Sequence, residues 1–104
     1  MHKHKTPKRF NRICKKYNNI AIYGLGMIYN ALKATKIGLE DIKYLSDKNV
    51  ASESAENGLV KLPIDALYDK RPNCIIVAPK KQFKNIKREL RERGFECPII
   101  SLIK

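Results

Sequence analysis

The 104-residue sequence predicts a small three-layer α/β fold, built on a mainly parallel sheet of about five strands with helices on both faces. Short apolar runs alternate along the chain with segments of helical spacing, and this alternation implies right-handed crossovers between parallel strands. The run CIIVA at 74–78 is apolar throughout, as a parallel strand covered on both faces should be. The expected strand order is 3-2-1-4-5.

Turn residues and hydrophobic spacing set the predicted limits of each element. Gly38 closes the first helix, Pro79 is placed in the first turn of the last helix, and Gly94 lies just past its end. The polar segment 48–58 is predicted to be a loop. The predicted strands are 19–23, 42–46, 59–62, 74–78 and 98–103, and the predicted helices run from 28 to 37, from 65 to 70 and from 82 to 93.

The first 18 residues are interpreted as a basic N-terminal arm, and residues 19–104 as the α/β domain. The arm is polar and contains Pro7, so its first part is expected to be loose in solution. Ile13, Cys14 and Tyr17 have a faint helical spacing, which predicts that the arm ends in one helical turn docked on the domain.

Positive charge is concentrated in two parts of the chain. The sequence has 22 Lys and Arg against 10 Asp and Glu, a formal net charge of +12. Residues 3–16 carry seven basic side chains and no acidic one, and residues 80–93 carry seven more against Glu89 and Glu92. Such patches favour a polyanionic partner through steering and counterion release. The alternative is a solvated tail and a solvated helix face.

Several protein classes are disfavoured by composition. No apolar run approaches the roughly 20 residues that a membrane-spanning helix needs, so no membrane association is expected. Cys14, Cys74 and Cys97 are odd in number and form no C-x-x-C pair, which argues against a disulfide framework and a zinc site. His2 and His4 form an H-x-H pair with no third ligand, so no metal site is predicted. We therefore expect a cytoplasmic protein.

The clearest chemical motif is a glycine turn directly after the first predicted strand. Gly24 permits a tight turn, and Gly26 allows a phosphate to approach the backbone. The helix that begins here directs its free N–H groups and positive dipole end at the same place. Residues Gly24, Leu25, Gly26 and Met27 are therefore predicted to bind the phosphates of a nucleotide-type ligand.

Two further segments should converge on the same edge of the sheet, where parallel sheets bind ligands beyond their carboxyl ends. Asp47 lies 21 positions after Gly26, with Lys48 beside it, and its carboxylate can accept hydrogen bonds from a ribose diol. The alternative reading of Asp47 is an ordinary turn residue. The third segment is Ala78-Pro79-Lys80-Lys81, whose lysines can neutralise a diphosphate. The alternative is a pair of charged residues on a solvent-facing first turn of the helix.

Four strings carry a resemblance to a known family, from about residue 19 to the end: IAIYGLGMIYNAL, IKYLSDKN, LVKLPIDAL and CIIVAPKKQFKNIKREL. Together they resemble the short Rossmann-like domains at the front of sugar-modifying acyltransferases, and those of polysaccharide-biosynthesis dehydratases and related nucleotide-sugar enzymes. The resemblance implies an NAD(P) or nucleotide-sugar pocket lined by Gly24, Gly26 and Asp47. The chain departs from that family at Tyr29, where a small residue is expected.

A complete catalytic set is not recognisable in the sequence. No G-x-x-x-x-G-K-[ST] loop occurs, and both histidines lie in the arm. The leading hypothesis is a binding module for a nucleotide, dinucleotide or nucleotide-sugar, acting with a separate catalytic chain or as a homodimer. The alternatives are a basic nucleic-acid or polyanion binder, an interaction domain with a vestigial Rossmann pocket, which Tyr29 favours, and, least favoured, an oxidoreductase.

Overall fold

The computed structural model describes residues 12–24, 42–56, 59–79 and 81–101 of the chain. Residues 12–16 are helical, and they are followed by an alternation of strands and helices. The strands are β1 (Ile20–Tyr23), β2 (Ile42–Ser46), β3 (Ser54–Glu56), β4 (Leu59–Leu62), β5 (Cys74–Val77) and β6 (Ile99–Ser101), and the helices are α1 (Ile64–Lys70), between β4 and β5, and α2 (Phe83–Glu92), between β5 and β6.

The strands form one mainly parallel sheet in the order β3-β4-β2-β1-β5-β6. The α/β class is as predicted, but the strand order differs from the predicted one because the sheet has a sixth strand. That strand, β3, lies in the segment expected to be a loop and pairs antiparallel with β4. Its sequence, Ser-Ala-Glu, has no β-branched residue. It joins the sheet because its backbone groups form hydrogen bonds with the open edge of β4. This pairing outweighs the low β-strand propensity of its residues.

The two central strands, β1 and β5, are apolar because both of their faces are covered. They pair in parallel with the register Ile20↔Cys74 to Tyr23↔Val77. Every β5 side chain and the first three of β1 are 0% exposed. A parallel strand in the middle of a layered fold has no solvated face, which explains the continuous apolar runs.

Each face of the sheet packs against its own layer. On one face, Ile13 of the helical turn at 12–16 packs into a core cluster. On the other face, Leu67 of α1 and Ile86 and Leu90 of α2 pack into a second cluster with alternate residues of the same strands. The predicted helical turn therefore docks on the domain. The helix predicted from 28 to 37 lies outside the described residues.

The ends of the helices follow local backbone chemistry. Arg71 precedes a proline, which disfavours the helical conformation, and it leaves α1 with a left-handed φ of 51°. Gly94 follows α2 with a φ of 101°, and its N–H donates to the Arg91 carbonyl, so the predicted glycine at the helix end is confirmed. Pro79 does not begin a helix as predicted, since α2 starts only at Phe83.

Two asparagines join β1, β5 and the end of α1. The Asn73 N–H donates to the Asn19 carbonyl at 2.8 Å, and the Asn19 N–H donates to Asn73 Oδ1 at 3.1 Å. The side-chain amide of Asn19 also donates to the Arg71 carbonyl at 2.9 Å. These bonds satisfy backbone groups that the helix and strand ends leave open, and they fix the amino-terminal edge of the sheet.

Burial of Cys74 predicts a loss of stability at alkaline pH. Burial raises the pKa of this thiol from 9.0 to about 12. Above pH ~9 the unfolded chain therefore releases a proton that the folded chain keeps, and the unfolding free energy falls by about 1.4 kcal/mol per pH unit up to the folded pKa. Urea unfolding from pH 7 to 11 should show this slope, and Cys74→Ala should make it shallower. Identical slopes in the two proteins would contradict the assignment.

Candidate functional site

The carboxyl ends of β1, β2 and β5 meet at one edge of the sheet. From β1 the sheet continues through β2 on one side and through β5 on the other, so the strand order reverses between β1 and β5. Beyond β1, the Gly24 N–H donates to the Ser46 carbonyl at 2.9 Å, and the Ala78 N–H donates to the Tyr23 carbonyl at 3.1 Å. Ligands of open α/β sheets bind in the crevice outside such a switch point.

Gly24 is required by its backbone conformation and by its contact with Pro79. Its φ is +97°, a region that side chains rarely adopt. A Cβ on Gly24 would lie 2.5 Å from Cδ and 2.8 Å from Cγ of the Pro79 ring. The tight turn predicted at this glycine is present, and the space beside it is occupied by the proline that follows β5.

Asp47 forms the turn that follows β2. Its Oδ1 accepts a hydrogen bond from the Asn49 N–H at 3.1 Å, and its carbonyl accepts one from the Val50 N–H at 3.0 Å. The side chain is half-buried. Asp47 therefore has the local role of a turn residue, and the same carboxylate faces the space beyond the strand ends.

A cavity of about 430 Å³ lies beyond the ends of β1, β2 and β5 and is covered by α2. It is lined by Tyr23, Gly24, Asp47, Lys48, Asn49, Pro79, Gln82, Asn85, Ile86 and Glu89. A neighbouring cavity of about 170 Å³ shares Tyr23, Asp47, Lys48 and Glu89 with it and extends to Arg93. We call the space lined by these residues the cleft. Its volume is within the range of small-molecule sites.

Tyr23 lies at the floor of the cleft and interacts with its charged groups. The pKa of this phenol is raised above its ordinary value, chiefly by burial and then by the negative charges of Asp47 and Glu89, against the opposing charge of Arg93. At neutral pH the phenol therefore keeps its proton. Tyr23 can donate a hydrogen bond to a ligand, but it is not suited to act as a general base.

The structure brings four of the predicted binding residues together. Gly24, Asp47, Lys48 and Pro79 all line the cleft. Ala78 does not, since it is 1% exposed and packs in the core on the face of Ile13. Its small side chain fills the core while its backbone extends the pairing with β1. The remaining predicted residues, Leu25, Gly26, Met27 and Lys80, and also Tyr29, lie outside the described residues.

The polar face of α2 was not predicted to belong to the site. Gln82, Asn85 and Glu89 line the cleft at intervals of three and four residues, and this spacing places them on one side of the helix. From the sequence, only the basic side chains of this helix were given a functional interpretation, as a surface for a polyanion. The signal was present as two uncharged amides, Gln82 and Asn85, and the carboxylate of Glu89 at helical spacing within a mainly cationic segment.

In the described ranges, no group of three or more His, Cys, Asp and Glu side chains is arranged to hold a metal ion. No helix in the same ranges has the length and apolarity to cross a membrane.

No protein-family model, curated protein or solved structure matches the chain. The resemblance to Rossmann-like domains of nucleotide-sugar enzymes therefore stays a prediction from sequence.

Proposed function

We propose that the chain is a binding module for a nucleotide-type ligand: a nucleotide, a dinucleotide such as NAD(P), or a nucleotide-sugar. The observation that carries this proposal is the position of the cleft, which lies at the carboxyl ends of β1 and β5, where the strand order reverses. This is the place at which open α/β sheets bind ligands, because loops from both halves of the sheet converge there.

The lining of the cleft is suited to a ligand rich in hydroxyl groups. Asp47 and Glu89 supply carboxylate acceptors, and Asn49, Gln82 and Asn85 supply amides that both donate and accept. The two hydroxyls of a ribose require such acceptors. We propose that Asp47 binds the ribose, since its turn bond with Asn49 holds the carboxylate in place.

Phosphate recognition is assigned to the glycine turn at 24–27, with help from Lys48 and Lys80. The support from the structure is the left-handed turn at Gly24, which ends β1 at the edge of the cleft. Backbone N–H groups after such a turn are well placed to bind phosphate when a helix follows. Two carboxylates in the cleft disfavour phosphate deeper inside, and this agrees with phosphates at the turn and sugar near Asp47.

We propose that this chain binds its ligand and does not itself catalyse a reaction on it. Tyr23 remains a protonated donor, and the cleft carboxylates have acceptor roles in our scheme. Chemistry on the bound ligand would then need groups from a separate catalytic chain or from a second copy of this one. Such a module would work in the cytoplasm, where nucleotides and nucleotide-sugars are made.

Asp47→Asn tests the proposal directly. The amide oxygen of asparagine can keep the turn bond from the Asn49 N–H, while the negative charge is lost. Because hydrogen bonds to a charged group contribute about 1.5–3 kcal/mol, affinity for the ligand should fall by roughly ten- to a hundredfold. Thermal-shift and calorimetric titrations with ATP, NAD⁺ and UDP-glucose measure this change.

The matched control is Asp69→Asn, an exposed carboxylate on α1 outside the cleft, which should leave affinity unchanged. Two results would overturn the proposal. One is the absence of stabilisation of the parent protein by any of the three probes, since a ligand at 100 times its Kd should stabilise by about 2.7 kcal/mol. The other is equal affinity in the parent protein and the Asp47→Asn variant.

A further inference from the structure

A second concave surface lies at the opposite, amino-terminal edge of the sheet. It encloses about 580 Å³ and is lined by Cys14, Lys15, Lys16, Tyr17, Asn18, Lys43 and Asn73. Asn18 and Asn73 lie just before β1 and β5, and Lys43 is near the start of β2. We call this surface the basic groove. Among the residues that the structure describes, three lysines and no carboxylate line it, whereas two carboxylates line the cleft at the other edge.

The groove is built from parts that are fixed to the core. Ile13, one residue before the lining begins, is 7% exposed and packs against the sheet. The Asn73 side-chain amide donates to Asn18 Oδ1 at 2.6 Å, which joins the two sides of the groove. Tyr17 packs against the same core cluster. The backbone that carries the lysines is therefore held in place, so less backbone conformational entropy is lost when a ligand binds.

The lysines of the groove keep their charge available to a ligand. Lys15, Lys16 and Lys43 are exposed, and none of them is ion-paired within the ranges that the structure describes. Lys16 Nζ lies over the Tyr17 ring, 5.6 Å from its centre. Exposed lysines grouped in one concave surface suit the phosphates of a nucleic-acid strand.

The basic side chains of α2 are less available to a ligand than those of the groove. Arg91 donates to the carbonyls of Phe95 and Cys97, both at 2.9 Å, and Arg93 pairs with Asp65. Arg88 donates to Asn85 Oδ1 at 3.3 Å. These three arginines therefore already have partners within the protein. The groove is thus the better candidate for a polyanion.

We infer that the basic groove binds the sugar-phosphate backbone of a nucleic acid. The sequence before the groove residues adds five more cations, Lys3, Lys5, Lys8, Arg9 and Arg12, which raise the overall attraction of the chain for a polyanion. This site is separate from the cleft and does not depend on the function proposed for it. Each neutralised phosphate releases counterions, which makes binding strongly salt-dependent.

The test compares two triple variants of the full chain that lose the same charge. K15Q/K16Q/K43Q neutralises the groove, and K84Q/K87Q/R88Q neutralises exposed residues of α2. Fluorescence anisotropy with a short DNA duplex and a single strand of the same length gives affinity at several salt concentrations. The groove variant should lose about tenfold in affinity per phosphate contact at 0.1 M salt. Its salt slope should fall by about 0.9 per contact on the duplex and 0.7 on the single strand.

The α2 variant should keep most of its affinity and its slope, and both variants should unfold at the temperature of the parent protein. Equal losses in the two variants would show diffuse attraction by net charge and would overturn the inference. So would failure of the parent protein to bind either probe. Groove-dependent binding of polyglutamate as tight as that of DNA would assign the surface to an acidic protein instead. Asp47→Asn should leave nucleic-acid binding unchanged, which separates this test from that of the cleft.

Discussion

Replacing Gly24 by alanine should lower the free energy of unfolding by about 2–5 kcal/mol. The positive φ costs an alanine about 1–2 kcal/mol, and its Cβ would overlap the Pro79 ring, which adds a further 1–3 kcal/mol of the kind seen in overpacked cores. For a domain of this size the melting temperature should fall by at least about 8 °C. Urea and thermal unfolding measure both quantities.

Gly94→Ala is the matched control, because its φ of +101° imposes the same backbone strain. Its Cβ would meet only the Tyr68 ring, at 3.2 Å, and this ring is 47% exposed and would need to shift by only a few tenths of an ångström. The expected loss is about 1–2 kcal/mol, from strain alone. Pro79→Ala should then recover part of the loss in the Gly24→Ala background. Equal costs at the two glycines would show that the contact with Pro79 is unimportant.

Replacing Ile13 by alanine should cost about 2–3 kcal/mol, within the range for truncating a buried isoleucine. Ile13 is 7% exposed and packs against β1, β2 and β5, although it lies in the segment interpreted as an arm. The loss arises because the variant leaves unfilled volume against the face of the sheet that this helical turn covers. Chemical denaturation with a common m-value in both proteins gives the difference directly.

Lys15→Ala is the control on the same helical turn, since Lys15 is exposed and its truncation should change stability by no more than about 0.5 kcal/mol. If Ile13→Ala proved as mild as Lys15→Ala, residues 12–16 would not be a stable part of the domain. A shortened protein made to test the role of the basic arm should therefore start at residue 12, so that Ile13 is retained.

Much of the fold could be predicted because its central strands are unambiguous. β1 and β5 are short, apolar and followed by glycine or proline, and α2 has a clear apolar stripe ending at Gly94. The edge strand β3 could not be predicted from Ser-Ala-Glu, since its pairing depends on the open edge of β4. A usable signal was present all the same, because Asn57-Gly58 between the two strands is a typical hairpin turn sequence.

The meeting of strand-end residues at one edge of the sheet could be predicted from the sequence, whereas the part of the cleft lining that α2 contributes could not. The convergence of Gly24, Asp47 and Pro79 follows from parallel topology alone. The contribution of Gln82, Asn85 and Glu89 depends on which side of α2 faces the strand ends, and that rotation is set by the burial of Ile86 and Leu90. The displacement of Ala78 into the core follows from strand alternation, which also decides the face to which each side chain points.

The pairing of β1 with β5 has a consequence for how the chain folds. The two strands are joined by a bond between residues 54 positions apart, from the Asn19 N–H to the Asn73 side chain, and the sheet cannot close on that side until β5 has emerged. A growing chain would therefore hold the apolar edge of β1 open while β2 to α1 are synthesised. Non-local parallel pairing of this kind slows folding, because loop-closure entropy is lost before the contacts form. During synthesis, this unpaired edge is where the chain is most open to association with other nascent chains.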